Sequence, residues 1–223
     1  MSTNYLKNRL IIENVFVEKL VNKYQTPFYV YSTDAIIKNY KLLKKKLSKN
    51  IFYSVKANSN QSIIKLLSKL GSGFDIVSEE ELQRVLNAKV NPNKIIFEGV
   101  GKTKGAIKIA IKNNIRQINI ESINEIILVN GIAKSLNKKA NIGLRINPNI
   151  DSKTNNKIST ARKTDKFGID VKDIKKAIDI IKDSKNISFF GISCHLGSQI
   201  FSLIVYEKAF IKMKKIINFF ENN

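Results

Sequence analysis

Short runs dense in Ile, Val and Phe alternate along the chain with longer stretches in which apolar residues recur every three or four positions. The runs cover 51–58, 73–78, 94–99, 117–121, 141–147 and 187–194 and read as β-strands. Between them lie Ile63, Leu66, Leu67 and Leu70; Leu82, Val85 and Leu86; Ile107, Ala110 and Ile111; Ile123, Ile126, Ile127 and Ile132; and Ile174, Ala177, Ile178 and Ile181. That spacing predicts amphipathic helices with lysine on the wet side. Pro27 opens a further β-like run at 28–31, after which a helix capped at Thr33 or Asp34 runs toward Ser48. A helix-like segment at 205–220 follows the sixth strand.

Six strand-helix alternations argue for an α/β fold with parallel strands joined by right-handed crossovers, as an open doubly wound sheet or a (β/α)8 barrel. A barrel needs eight such units, so a barrel built from these six is an incomplete one. With 223 residues, 43% hydrophobic and 26% charged, the chain has the composition of a folded globular domain. No run approaches the roughly 18 apolar residues of a membrane span, and residues 1–9 have no signal-like apolar region, so a cytoplasmic protein is expected. One cysteine and one histidine give neither an internal disulfide nor a zinc spacing, and no metal is expected. The formal charge of +21 raises nucleic-acid or anionic-membrane binding. Yet only five of the 39 basic residues are Arg, the residue that reads phosphate and guanine, so a solvated lysine surface without a nucleic-acid or membrane partner is the expectation.

Chemistry collects at the strand ends. Lys56 stands at the C-terminal end of the first strand, on the face of Phe52 and Ser54 by period-two alternation. Desolvated there, it is a candidate amine nucleophile for a Schiff base with a carbonyl or an aldehyde cofactor; a snorkelling lysine is the plainer alternative. His195 ends the last strand, before a small-residue turn, Leu196-Gly197-Ser198, whose amides suit an anion. Asp75 shares the inward face with Val77, and Arg145 shares one with Asn147, an arrangement that a simple Arg145–Asp75 ion pair would also explain. Gly71 reads as a helix C-cap. Gly99-Val100-Gly101-Lys102-Thr103 hints at a phosphate loop, but position 96 is Ile where the first glycine is required, so it reads as an ordinary turn.

Taken in order, Tyr53-Ser54-Val55-Lys56-Ala57-Asn58, Gly73-Phe74-Asp75-Ile76-Val77-Ser78, Glu81-Leu82, Phe97-Glu98-Gly99-Val100-Gly101-Lys102-Thr103, Asn119-Ile120-Glu121-Ser122, Leu144-Arg145-Ile146-Asn147-Pro148, Lys166-Phe167-Gly168-Ile169 and Cys194-His195-Leu196-Gly197-Ser198-Gln199 resemble the diaminopimelate decarboxylases. These belong to the alanine racemase-like group of pyridoxal-phosphate barrel enzymes, and the resemblance runs from about Thr26 to Gln199. It implies an incomplete (β/α)8 barrel of the pyridoxal-phosphate-binding type over 34–223, with 1–33 part of a β-domain whose C-terminal portion is absent. Pyridoxal 5'-phosphate is the implied cofactor. Lys56 would carry it, His195 would stack on its ring, Gly197 and Ser198 would help hold its phosphate, and Asp75 and Arg145 would sit beside the Lys56 linkage. The implied reaction takes meso-2,6-diaminopimelate to L-lysine and carbon dioxide, in a homodimer. The segment 157–168 favours this substrate over those of the ornithine and arginine relatives, and a non-catalytic pyridoxal-phosphate barrel is the alternative. The sequence departs from the family pattern at Glu79, Glu80, Asn155, Asn156 and Ala161. The family's glycine-rich phosphate loop and Glu-Pro-Gly-Arg segment are not found, so these 223 residues by themselves are expected to be inactive and aggregation-prone, with the first and sixth strands as exposed edges.

Overall fold

The computed structural model describes residues 3–47, 50–148, 150, 167–198 and 200–221. It opens on a small antiparallel sheet of β1 (Thr3–Leu6), β2 (Arg9–Ile12) and β3 (Val15–Phe16), followed by helix α1 (Val17–Lys23). The hydrophobic pattern does not announce these strands, because they are two to four residues long and β1 is exposed throughout. The turn signal is conformational: Lys7 and Asn8 both take positive φ, 49° and 59°, the geometry of a two-residue hairpin loop.

The β-like run at 28–31 forms no strand. Its aromatic content is genuine, but no neighbouring strand pairs with it, and Tyr29 is 90% exposed. Helix α2 (Thr33–Leu47) is capped by Ser32, one residue earlier than expected. Ser32 Oγ accepts from the Ala35 N–H at 3.0 Å, and the Glu13 carboxylate accepts from Ser32 Oγ (2.8 Å) and from the Asp34 N–H (2.9 Å). A serine cap reinforced by a carboxylate at the positive helix end satisfies donors that the expected caps would have left open.

The six expected parallel strands are all present: β4 (Phe52–Ser54), β5 (Gly73–Ile76), β6 (Ile95–Phe97), β7 (Gln117–Ile120), β8 (Ala140–Arg145) and β9 (Ile187–Ser193). Helices α3 (Gln61–Lys69), α4 (Glu79–Asn87), α5 (Lys104–Lys112), α6 (Ile123–Ser135) and α7 (Ile174–Asp183) fall between successive strands, and α8 (Leu203–Glu221) follows the last. Strand order in the sheet equals chain order, β4 through β9, with every pairing parallel. A doubly wound sheet reverses order at a switch point. No reversal occurs here, and α3 to α7 pack each against the next, so the architecture is a six-unit arc of a β/α barrel. Strands β4 and β9 are its edges.

Alternation sets the two faces. Phe74, Ile76, Ile95, Phe97, Ile118, Ile120, Ile142 and Leu144 are fully buried in the core that includes Ile64, Leu82, Ile107 and Ile126 of the helices. The intervening Asp75, Ile96, Asn119, Gly143 and Arg145 point to the concave side. The turns into α3, α4, α5 and α6 are each finished by a side-chain cap: Asn60, Ser78, Thr103 and Ser122 accept from backbone N–H groups at the starts of those helices. At the other end of α3, Gly71 takes φ +93° while the Ser72 N–H reaches the Leu67 carbonyl at 3.0 Å, the C-cap expected there. The segment 157–161, together with Lys166 and Gln199, lies outside the described residues.

Phe74 is fully buried and meets Tyr53 edge to face, with centroids 6.4 Å apart. Phe74→Ala is expected to cost about 3–5 kcal/mol, read as a lowered midpoint in urea denaturation with an unchanged slope.

Candidate active site

The end of β4 differs from the alternation expected of it. The strand stops at Ser54, and Val55–Ala57 form one turn of 3-10 helix, tied by the Tyr53 hydroxyl donating to the Asn58 carbonyl at 3.1 Å. Lys56 therefore stands in a turn beyond the strand, and it is exposed, so burial does not strip water from its amine. The turn nonetheless delivers it to the same place. A cavity of about 360 Å³ is lined by Lys56, Asp75, Val77, Glu98, Gly99, Val100, Arg145, Phe167, Cys194 and His195. These residues come from the C-terminal ends of β4, β5, β6, β8 and β9 and from the segment leading to α7. A more open groove of about 620 Å³ lies beside α1 and α3, but its walls hold no charged side chain; the reactive groups gather in the smaller cavity, which is still of a size that takes small molecules.

Two carboxyls enter this cavity half-satisfied. Ser54 Oγ donates to Asp75 Oδ2 at 2.6 Å, and Asn119 Nδ2 donates to Glu98 Oε1. Asp75 Oδ1 and Glu98 Oε2 are buried without a partner among the described residues. Burial pushes the Asp75 carboxyl above its ordinary range, against the Ser54 hydroxyl and the charges of Lys56 and Arg145. Burial likewise raises Glu98.

Arg145 has a different partner from the one its inward face suggested. Its Nη1 lies 2.6 Å from Glu121 Oε1, and Glu121 Oε2 accepts the Gly168 N–H at 3.1 Å. Glu121 directly follows β7, the strand adjacent to β8, whereas Asp75 is three strands away on β5, so the nearer carboxylate takes the guanidinium. Both side chains are largely buried, at 12% and 6% exposure, and the pair fixes the guanidinium at the cavity wall.

Lys102 of the rejected phosphate-loop motif is wholly committed to the fold. With 1% side-chain exposure, its Nζ donates to the Gly99 and Asn119 carbonyls (2.6 Å each) and to Glu125 Oε1 (3.0 Å). All three of its hydrogens are used. Glu125 also returns to the turn before α6, accepting the Glu121 N–H at 2.7 Å, and Glu81 does the same before α4, accepting the Val77 N–H at 2.8 Å. These returning carboxylates hold the strand ends that carry Glu121 and Asp75.

His195 lines the cavity and its imidazole titrates below the ordinary histidine range, first because of burial and then because Arg145 and Lys56 repel its cationic form. Burial pushes the Cys194 thiol up, which keeps it protonated. Gly197 and Ser198 follow at the same end of β9 but do not line the cavity, and Ser198 is exposed. The structure thus brings Lys56, Asp75, Arg145 and His195 together and leaves Gly197 and Ser198 outside. Glu98, Phe167 and Cys194 are cavity residues not singled out as candidates from the sequence. Glu98 was within reach of alternation, since it lies two positions beyond inward-facing Ile96.

The orphaned carboxyl oxygens, an accessible amine, a fixed guanidinium and a mostly neutral imidazole form a donor set suited to a polar aromatic aldehyde bearing an anionic group, and pyridoxal 5'-phosphate fits it. Among the described residues no group of three or more His, Cys, Asp or Glu is placed to hold a metal ion, and no helix is long and apolar enough to cross a membrane.

Fold and cavity define a class: a β/α-barrel domain with its reactive groups at the C-terminal ends of its strands, where barrel enzymes keep their sites. Residues 33–222 match the family described as pyridoxal-dependent decarboxylase, pyridoxal binding domain, and the chain belongs to that family. It is 36% identical over 219 residues to the diaminopimelate decarboxylase of Aquifex aeolicus, covering 98% of this chain and 51% of that protein. The crystal structure of diaminopimelate decarboxylase from Helicobacter pylori complexed with L-lysine superposes with a TM-score of 0.86 at 42% identity, over 91% of this chain and 52% of that one. The M. jannaschii enzyme in co-complex with L-lysine gives a TM-score of 0.87 at 37% identity, over 96% and 52%. The chain spans about half the length of the curated relatives it matches.

His195 is the only histidine in the chain, so its ring protons report alone in an NMR titration. The expected midpoint lies below about 6.5, and Arg145→Gln is expected to raise it by removing a repelling charge. The folded protein holds this proton less readily than the unfolded chain. The contribution of His195 to stability is therefore complete above about pH 6.5 and declines as pH falls through that value toward the folded midpoint.

Proposed function

We propose that this cavity binds pyridoxal 5'-phosphate and serves the decarboxylation of an amino acid, meso-2,6-diaminopimelate to L-lysine. The observation that carries the reading is the convergence of Lys56, Asp75, Arg145 and His195 on one small cavity, supported by the family membership and by relatives named diaminopimelate decarboxylase. Lys56 would hold the cofactor through its ε-amine and His195 would face its ring. Gly197 and Ser198, at the mouth beyond β9, would meet its phosphate. When bound, the cofactor supplies an electron sink for the pair left as carbon dioxide departs.

The residues of the chain prepare the site for that chemistry. Arg145, locked by Glu121, places a permanent positive charge that draws a substrate carboxylate. Asp75, held through one oxygen by Ser54, lines the cavity with Lys56, and burial raises its carboxyl, which favours the protonated form. His195, neutral through most of the physiological range, offers an uncharged ring surface. An occupant with ammonium and carboxylate groups at both ends suits walls that carry both signs of charge.

The two open sheet edges and the exposed apolar residues of the last segment, Phe201 at 95% and Leu203 at 81%, support a reading in which turnover needs more protein against this flank, from further length of the kind the relatives have or from a second copy.

Borohydride treatment in the presence of pyridoxal 5'-phosphate, followed by peptide mass spectrometry, is expected to fix the label on Lys56. With that further protein in place, release of labelled carbon dioxide from meso-diaminopimelate is expected to exceed that from ornithine or arginine. Lys56→Ala should abolish the label and lower turnover by on the order of 10³-fold or more. A label fixed on another lysine would sink the assignment.

A further inference from the structure

We propose that Glu98 is a hydrogen-bond-donating acid of this cavity, presenting a proton on Oε2 to an oxygen acceptor carried by the bound cofactor or by the amino acid beside it. The inference rests on the pyridoxal-phosphate reading above and adds to it a residue that the motif resemblance gives no role.

The argument begins on β7. Gln117 and Asn119 both face the concave side, and Gln117 Nε2 donates to Asn119 Oδ1 at 2.6 Å. With its oxygen engaged, the Asn119 amide turns its nitrogen toward Glu98 and donates to Oε1. Oε1 is thereby fixed as an acceptor. A neutral Glu98 carries its proton on Oε2, which is buried with no partner among the described residues, in a side chain that lines the cavity.

The neighbouring strand is built to leave room for this chain of amides. Gly143 of β8 is paired in register with Asn119. A Cβ added at Gly143 would lie 2.5 Å from Asn119 Oδ1 and closer still to Gln117 Nε2, so a side chain there would displace these two amides from the positions they take beside glycine. Two amides and a glycine on adjacent strands are thus spent on holding one carboxyl in one orientation.

The surroundings favour the neutral form. Burial is the main influence; Asp75 and Glu121 add to it, while the Asn119 hydrogen bond and Arg145 oppose it. Lys56, Cys194 and His195 face the same cavity.

The test compares wild type with Glu98→Gln, Glu98→Leu and Asp75→Asn. Affinity is titrated across pH, first for pyridoxal 5'-phosphate alone and then for L-lysine on the cofactor-loaded protein. Glutamine keeps the device without the titration, because its oxygen accepts from Asn119 and its amide nitrogen donates into the cavity. Glu98→Gln is expected to match the wild type at low pH and to lack the loss of affinity that the wild type shows as Glu98 ionises; Asp75→Asn is expected to retain that loss. Glu98→Leu is expected to bind about tenfold more weakly at every pH. Weakening for the cofactor alone places the acceptor on the cofactor, and weakening only for L-lysine places it on the amino acid. If Glu98→Leu fails to fold, Glu98→Gln decides: disappearance of the alkaline loss supports the donor role, and its persistence overturns it. Unchanged affinity for Glu98→Leu in both arms also overturns it, as does a Glu98→Gln variant as weak as Glu98→Leu, the result expected if an ionised Glu98 accepted from an ammonium group. Failure of the wild type to bind the cofactor, or to fix it on Lys56, would instead remove the cofactor reading.

Discussion

Polar groups that face the inside of a parallel sheet must find partners there, because a buried donor or acceptor left unmade costs about 1–3 kcal/mol and a buried unpaired charge more. In this domain the solution is lateral. Ser54 serves Asp75 across the β4–β5 pair, Asn119 serves Glu98 across β6–β7, and Glu121 serves Arg145 across β7–β8. Each site group is held by the strand beside it, so strand register and site geometry are one property. The carboxyl oxygens that this arrangement leaves over, Asp75 Oδ1 and Glu98 Oε2, belong to two residues of the cavity lining.

A second layer of interactions fixes the strand ends. The Lys102 ammonium draws together the turn after β6, the end of β7 and the first turn of α6. Glu81 and Glu125 each reach back from a helix to the peptide preceding its cap. Such helix-start carboxylates also meet the positive end of the helix dipole. The outer helices, the turns and the inner polar groups are therefore coupled through a few charged side chains whose work is structural, and the reactive groups are spared that duty.

The sheet was legible in the sequence because its signal is the strongest that a chain offers: six apolar runs of strand length, separated by helical spacing. The N-terminal hairpin was not, since its strands are too short and too exposed to carry an apolar rhythm. The face on which a strand residue sits was also legible, and Asp75 and Arg145 lie where period two put them. Their partners were not, because which strand adjoins which is a tertiary fact; Glu121 claims Arg145 by lying one strand away. Lys56 was placed correctly in space for a reason only partly right, since a 3-10 turn rather than strand alternation delivers it. The small-residue turn at Gly197 and Ser198 suggests an anion site from its residues, with the phosphate role added by resemblance, and the cavity lining does not include them.

The agreement between strand order and chain order bears on how the domain assembles. Each new strand docks on the one made just before it, and from β4 through β8 each such pairing closes a loop built around a single α-helix, an arrangement that keeps the entropy of loop closure small. As the polypeptide leaves the ribosome, the arc can be laid down from one end without waiting for its final segments. The register that aligns the cavity groups is then settled progressively, and an error at one step is displayed at the growing rim before the next strand covers it.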